Sequence, residues 1–541
     1  MISVRTYLLL YLLLAIALGF GLFLPLMEND SAQHATMAMR MAKSGDYLSI
    51  LKGGNPYLDK PHMHFWLSAL SFEIFGFEEW AYRLPALILT ILGGFATFKL
   101  ANLLYDNVEI SRLSAFMFLT SQAIVLGMHD VRTDAVLTAF TVLAVWQWVR
   151  FLKLNSWSGA VLGGIFTAFA FSTKGLIAIA VIGIFLFFMV LYHHYWKRLL
   201  QPKFVLGLIA FALACVPVFY AYYHQFGMEG IEFISMGQVT GRYSGEDFGG
   251  ASQNDYFFYF HTILWTFLPW SIWFYSSLFL RIKSITRQVK LVEISTILTV
   301  LIFLIVMNFS SFKLPHYLNI IFPFVAIFTA GTIVLYFQQY RSKLPKVFQI
   351  TQYILASLGF VLLGFLGIVA FAVHEIPVLA VLLASILLII WLFLKSESRL
   401  ERTVVVSAGF ILFTNIYLNS TFYPQLLKYQ SGYSLGVVAQ QHNIKPGNLY
   451  MVDGQYSWPM DWMIGGTSQK IERKDLNRLN KPFWVMMRNI NPNELKGNKF
   501  NINKSYRADH FRVTRLSWDF INPLSRSESL EEAWLVEYVP K

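Results

Sequence analysis

Thirteen apolar stretches of 15 to 24 residues run through the first 420 positions of this 541-residue chain, at 7–26, 84–104, 113–128, 135–149, 157–171, 176–191, 204–223, 257–280, 294–309, 318–337, 354–371, 378–394 and 404–418. The hydrocarbon core of a bilayer is about 30 Å thick and takes about 20 helical residues to cross. With no water there to bond to, each stretch must satisfy its own backbone, which dictates helices. Only 14% of the residues are charged, against about 25% in a soluble domain. The chain therefore reads as an α-helical polytopic membrane protein with about thirteen transmembrane helices. Arg5 followed by 7–26 has the charge order of a secretory signal, but the stretch is long and lacks a small-x-small cleavage site, so it reads as an uncleaved first span.

Alternating sides from Arg5 places the basic clusters on one face. These are Arg150 and Lys153; Lys197 and Arg198; Arg281, Lys283, Arg287 and Lys290; Arg341, Lys343 and Lys346; and Lys395, Arg399 and Arg402. That is the positive-inside pattern, and it accounts for the net charge of +12 without invoking nucleic acid. An odd number of spans puts the carboxyl-terminal tail outside. From position 421 the composition shifts, with 27 charged residues in 121 positions against 47 in the first 420. We divide the chain into a membrane domain, 1–420, and a small extracytoplasmic α/β domain, 421–541. Its strands are expected at 448–452, 482–488, 511–520 and 533–539, with a helix at 434–441.

The outer loops carry the unusual chemistry. The first, 27–83, is long enough for two helices, near 32–43 and 64–75, whose mixed polar and aromatic faces suit the membrane surface. It holds Asp30, Tyr57, Asp59 and Lys60. Later outer gaps hold His129, Asp130, Arg132 and Asp134; then Ser172 to Gly175; then Gln238, Arg242, Tyr243, Glu246 and Asp247; then Ser311, Lys313, Pro315, His316 and Tyr317. Lys60, Arg132, Lys174, Arg242 and Lys313 break the positive-inside pattern, and an anionic ligand at this surface would account for them together.

Each also has a structural explanation. Lys174-Gly175 is what a helix uses to end itself. Asp134 stands where an amino-terminal cap belongs. Arg242 and Lys313 could meet lipid headgroups, and Asp59 beside Lys60 could be a surface pair worth little. The spacing of His62, His64, His129 and His316 matches no zinc signature, so no metal ligands are assigned; a divalent ion finds no support in the sequence. The single cysteine, Cys215, allows no internal disulfide, and no phosphate-binding glycine loop appears. A polytopic transporter would instead place ionisable groups near mid-membrane in matched halves, which this chain lacks.

The segments Asp30-Ser31, Gly45-Asp46, Tyr57-Leu58-Asp59-Lys60-Pro61, Trp66, Phe75-Gly76, Glu79-Trp80 and Arg83-Leu84-Pro85 resemble the first outer loop of bacterial ArnT-type glycosyltransferases. These are membrane-embedded GT-C enzymes, a superfamily shared with the protein O-mannosyltransferases. Later segments follow in family order: the run ending at Asp134, Thr173 to Gly175, Phe267 to Trp270, and Ser311 to Tyr317. The resemblance implies a GT-C fold in the bacterial inner membrane, with the active site and the carboxyl-terminal domain periplasmic. It implies inverting transfer of a sugar from undecaprenyl or another polyprenyl phosphate. The sugar would be 4-amino-4-deoxy-L-arabinose or a related pentose or hexose, and the acceptor lipid A or another envelope lipid or glycan; a protein acceptor is the nearest alternative. Nucleic acid is not a partner. The family's acids fall on Asp30 and Asp134, its donor-phosphate cations on Lys60, Arg242 and Lys313, and its pocket on Tyr57, Asp59, Lys174, His316 and Tyr317. Where the family commonly has Asp-Glu, Glu-Lys-Pro-Pro and Glu-His, this chain has Asp30-Ser31, Asp59-Lys60-Pro61-His62 and Gln238-Val239. The last two changes alter the charge and shape of the pocket.

The residue types suit such a reaction. Breaking an anomeric bond to phosphate leaves negative charge on the phosphate, which fixed cations stabilise. The incoming hydroxyl must lose its proton, which a carboxylate can accept.

Overall fold

The computed structural model of the protein describes residues 1–237, 255–286, 293–338, 343–497 and 499–541. Gln238, Arg242, Tyr243, Glu246 and Asp247 lie outside the described residues, as do Arg287, Lys290 and Arg341. All thirteen apolar stretches are mainly helical; by length and composition alone, fewer of them stand as single long spans. Among the described residues, nine helices are long and apolar enough to cross a membrane. A tenth is gained if α5 (Val108–Thr120) and α6 (Gln122–His129), bent by 51°, are one span. The other three stretches fall short for separate reasons. Ser295–Asn308 has 14 residues, the 257–280 stretch is broken at residues 267–270 between two helices, and α8 (Trp157–Lys174) is polar at both ends.

The bundle is built around α7 (Thr133–Leu154), apolar on all sides and buried along nearly its whole length. Around it pack α4 (Glu79–Tyr105), α8 and α9 (Leu176–His193). Helix starts are capped by short polar side chains: Ser3 Oγ, Asn107 Oδ1 and Ser156 Oγ accept from the backbone N–H three residues on. Asp106 and Asn155 end α4 and α7 in the left-handed region. Small residues bring α8 against the helix Pro202–Glu232. A Cβ at Gly164 would stand 2.0 Å from the carbonyl oxygen of Gly207, and one at Gly207 would stand 2.7 Å from that of Ala160. Only glycine permits this backbone approach, the usual solution for close helix contact in lipid.

Between α1 (Val4–Leu22) and α4 lie α2 (Asp30–Ser44), a short hairpin of β1 (Leu51–Lys52) and β2 (Asn55–Pro56), and α3 (Met63–Phe75). The two loop helices form where expected, but α2 is not a surface helix. Most of it is buried between α3 and the later helix Trp458–Met463.

The carboxyl-terminal part is a five-stranded mixed sheet in the order β4-β3-β5-β7-β6: β3 Leu449–Val452, β4 Gln469–Ile471, β5 Phe483–Arg488, β6 Phe500–His510 and β7 Glu531–Pro540. β3 runs parallel to β4 and β5, and β7 antiparallel to β5 and β6. The central strand β5 is buried on both faces, as its unbroken apolar run requires. The strand expected at 511–520 is not there. Phe511, Val513 and Phe520 are buried facing the bundle, Phe520 within the short helix Trp518–Ile521. The ladder partner of β7 is instead β6, whose polar residues, among them Lys504, Arg507 and Asp509, suit an exposed edge. The sheet is fastened to the bundle by Trp462 Nε1 donating to Glu79 (3.1 Å), by Lys43 Nζ donating to the Gly465 carbonyl (2.6 Å), and by Arg526 over the Phe371 ring (4.5 Å).

Gly164→Val is expected to destabilise the protein by about 1–3 kcal/mol through overpacking, read as a lowered thermal midpoint in detergent. An unchanged midpoint would mean that the helix contact is not tight.

Candidate functional site

Arg132 takes the cap position of α7 in extended conformation, so Asp134 falls in the first turn rather than at the cap. A carboxylate is favoured there by the helix dipole. α8 runs back beside α7 and ends at Lys174, where Gly175 turns the chain with φ 68°. Lys174 therefore does sit at a helix end, and its ammonium also reaches Asp134 Oδ1 at 2.6 Å, with the two side chains only 4% and 6% exposed. The same ammonium lies over the Tyr317 ring at 4.5 Å.

From this pair a polar network runs outward. The other oxygen of Asp134 is 3.8 Å from His316 Nε2, and His316 Nδ1 is 3.1 Å from Arg132 Nη1. A guanidinium only donates, so Nδ1 accepts and the imidazole proton sits on Nε2, facing Asp134. Arg132 also donates to Asp130 (3.0 Å), and its Nη1 stands 3.2 Å from Asp30 Oδ2. Asp30 is the open end of the network, its side chain 43% exposed.

Lys60 and Asp59 form a second, half-buried pair at 2.6 Å, with the Tyr57 hydroxyl donating to the same carboxylate oxygen at 3.2 Å. Burial, with the nearby charges of Asp59 and Asp30, raises the pKa of Tyr57 and keeps it a donor. Between the two groups lies His34, one turn after Asp30 on α2, buried and within the field of Lys60, Arg132, Asp59 and Asp134. Its neighbour His64 bonds to the Tyr82 hydroxyl at 3.2 Å, which donates to the Val131 carbonyl at 3.1 Å. Lys313 is buried in the loop before His316, with its ammonium over Tyr256 at 5.9 Å rather than in the aspartate network. Arg242 lies outside the described residues.

Arg83, wholly buried at the start of α4, holds this end of the bundle together. It donates to the carbonyls of His129 (2.8 Å), Leu22 (3.0 Å), Leu24 and Pro25 (3.0 Å), tying the end of α1 to the end of α6. Asp30 follows five residues after Pro25, so its position depends on this clamp.

The network opens into a cavity of about 880 Å³. Its charged end is Asp130, Arg132, Asp134 and His316, and its walls are apolar, including Leu126, Trp265, Phe422 and Leu426. Among the described residues, no three of His, Cys, Asp and Glu gather as a metal site; His62 bonds to the Leu48 carbonyl instead.

The sequence marked Arg132 only as one of five cations suited to an anionic ligand and gave Asp130 no role, and His34 and Arg83 did not stand out in it as site-builders. The signals were an Asp130-x-Arg132-x-Asp134 alternation at a helix start, a histidine four residues after Asp30, and an arginine at the mouth of an apolar span.

Residues 59–221 match the family described as Dolichyl-phosphate-mannose-protein mannosyltransferase. The chain is 26% identical over 335 residues to an uncharacterised protein of Aquifex aeolicus, covering 62% of this chain and 64% of that protein. It is 24% identical over 392 residues to Undecaprenyl phosphate-alpha-4-amino-4-deoxy-L-arabinose arabinosyl transferase 1 of Pseudomonas fluorescens, covering 69% and 67%. The chain thus spans about two thirds of the length of these relatives. The crystal structure of ArnT from Cupriavidus metallidurans bound to undecaprenyl phosphate superposes with a TM-score of 0.75 over 98% of both chains, at 17% identity.

Two measurements test this geometry. Lys174→Met strands a buried carboxylate and is expected to cost about 3–5 kcal/mol, much of it recovered in the Asp134→Leu/Lys174→Met double variant; unfolding in detergent reads both, and equal losses would contradict a buried pair. Burial lowers the pKa of both His34 and His64 to about 3, from 6.5. The unfolded chain therefore takes up protons first, and stability is lost as pH falls below about 6.5. A His34→Gln/His64→Gln variant should flatten that acid limb of the midpoint-against-pH curve; an unchanged limb would place the titration elsewhere.

Proposed function

The chain is ArnT-like in sequence and has the ArnT-like GT-C fold, and from that premise we propose that it is an inverting glycosyltransferase using a polyprenyl-phosphate sugar donor. The observation that carries the proposal is the cavity of about 880 Å³ whose apolar walls end in a fixed charged network. A phosphate on a long hydrocarbon tail has the same two-part chemistry. The relatives named for undecaprenyl phosphate support that carrier here, and the positive-inside pattern supports a periplasmic site in a bacterial inner membrane.

Asp30 is the general base: it is the acid of the network most open to an incoming group. Its carboxylate takes the acceptor hydroxyl proton as the new anomeric C–O bond forms on the face opposite the leaving group. The old C–O bond breaks, and the phosphate departs with the electron pair. Lys60, Arg132, Arg242 and Lys313 supply positive charge for that phosphate. Asp134, locked to Lys174, acts one step back, holding His316 and through it Arg132 in place. Tyr57, Asp59 and Tyr317 shape the pocket around these cations. The acceptor is an envelope lipid or glycan, lipid A among them, and the sugar a pentose or hexose.

A second reading, transfer to protein, is favoured by the match of residues 59–221 to a family described by that activity.

Purified protein in lipid nanodiscs, given radiolabelled polyprenyl-phosphate sugars and membrane extract, is expected to move label to a lipid or glycan. Asp30→Asn should lower kcat by about 10²- to 10⁴-fold with folding intact, and Lys60→Ala should raise the donor KM more than the acceptor KM. Full turnover by the Asp30 variant removes that residue from the chemistry, and label in protein selects the second reading.

A further inference from the structure

A second chamber, of about 370 Å³, lies between the first loop and the carboxyl-terminal sheet. Two strips of chain border both this chamber and the apolar-walled cavity: residues 27–29, immediately before Asp30, and residues 511–516. Thr514 lines both. We propose that this chamber holds the carbohydrate headgroup of the acceptor and turns one of its hydroxyls toward Asp30. The proposal rests on the glycosyl-transfer reading and deepens it, naming the acceptor class and giving the sheet a role in selecting it.

The lining decides the ligand class. Arg488 and Arg512 are offset by Glu28 and Glu531, so the chamber carries no excess of either charge. A bare anion would call for surplus cations, and an acyl chain for apolar walls. The Asn29 amide and the hydroxyls of Ser457, Thr514 and Ser529 add donors and acceptors side by side, the mixture that a neutral polyhydroxylated ring needs. Tyr456, 48% exposed, supplies an aromatic ring at the rim. The volume lies within the range of about 300–1,000 Å³ usual for small-ligand sites.

The walls are also held in place without a ligand. His510 is buried, its Nε2 accepting from Arg488 Nη1 at 3.0 Å and its Nδ1 bonded to Ser431 Oγ at 2.9 Å. The Arg488 backbone N–H donates to Gln455 Oε1 at 2.9 Å. Opposite, the Glu28 N–H donates to Gln430 Oε1 at 2.8 Å, while Gln430 Nε2 donates to the Leu26 carbonyl at 2.8 Å. Burial raises the pKa of Glu28, and the fields of Arg488 and Arg512 oppose that rise, so the three groups share one space. Sites that bind hydroxyl-rich ligands selectively are fixed in this way before the ligand arrives.

The test varies acceptor concentration at saturating donor, with full-length protein in nanodiscs, for wild type, Tyr456→Ala and Arg512→Gln. Both positions are exposed, so folding should survive, and an unchanged thermal midpoint checks it. We expect wild type to label glycolipid, and each variant to raise the acceptor KM about tenfold with the donor KM unchanged. An unchanged acceptor KM in both variants, or label in protein alone, overturns the proposal. Saturation-transfer NMR with chitobiose reads the chamber without turnover. Contact with wild type that is lost in both variants supports the chamber, and no contact with wild type overturns it. Should wild type consume no donor at all, the glycosyl-transfer reading fails, and the NMR result still judges the chamber.

Discussion

A buried ion pair, Asp134 with Lys174, sets the geometry from which the rest of the candidate site follows. Two charges that deep in a membrane bundle cost several kcal/mol each to desolvate. Their 2.6 Å contact therefore requires the start of α7 and the end of α8 to lie level. Gly159 and Gly163 of α8 provide that packing: a Cβ at Gly159 would stand 2.8 Å from the Phe151 backbone nitrogen of α7, and one at Gly163 would stand 2.8 Å from the Trp148 ring. With the pair fixed, the second oxygen of Asp134 orients His316, His316 receives Arg132, and Arg132 reaches the half-exposed Asp30. The arrangement grades from dry and locked to wet and accessible. Chemistry at a membrane surface needs that gradient: a preorganised interior and one carboxylate that an acceptor can meet.

The opposite constraint acts on the first loop. Asp30 lies on a segment that could wander, yet Arg83 gathers carbonyls from the end of α1 and the end of α6 into one guanidinium. The sheet then covers α2 with the helix Trp458–Met463 and anchors through Trp462 and Lys43. The carboxyl-terminal part is thus a structural lid for the loop that carries the proposed base, and it supplies one wall of the polar chamber beside it.

Much of this was legible from residues. The apolar runs marked the helices, since lipid leaves the backbone no alternative. The cations Lys60, Arg132 and Lys174, expected on the outer face, pointed to the candidate site, because a charge against the positive-inside trend needs a partner. The shape of each run was less legible. A helix of 14 residues and a stretch broken at residues 267–270 read as plain apolar runs, because the helix length and the break are set by the folded chain. The strand expected at 511–520 failed because burial of Phe511, Val513 and Phe520 reflects contact with the bundle rather than alternation in a ladder. The true strand β6 was hidden by the polarity of an edge. Pairings across long sequence distances, such as Asp30 with Arg132, carry no local pattern and became visible only in the folded chain.

In the proposed reaction a phosphate on a hydrocarbon tail enters the apolar-walled cavity with its charge against this network. An electron cryo-microscopy map of the protein in nanodiscs with undecaprenyl phosphate tests it most directly. The phosphate is expected within hydrogen-bonding distance of Lys60, with Asp30 facing it across a gap wide enough for a sugar. Density for the phosphate at the opposite end of α7, among the basic residues near Lys153, would contradict it.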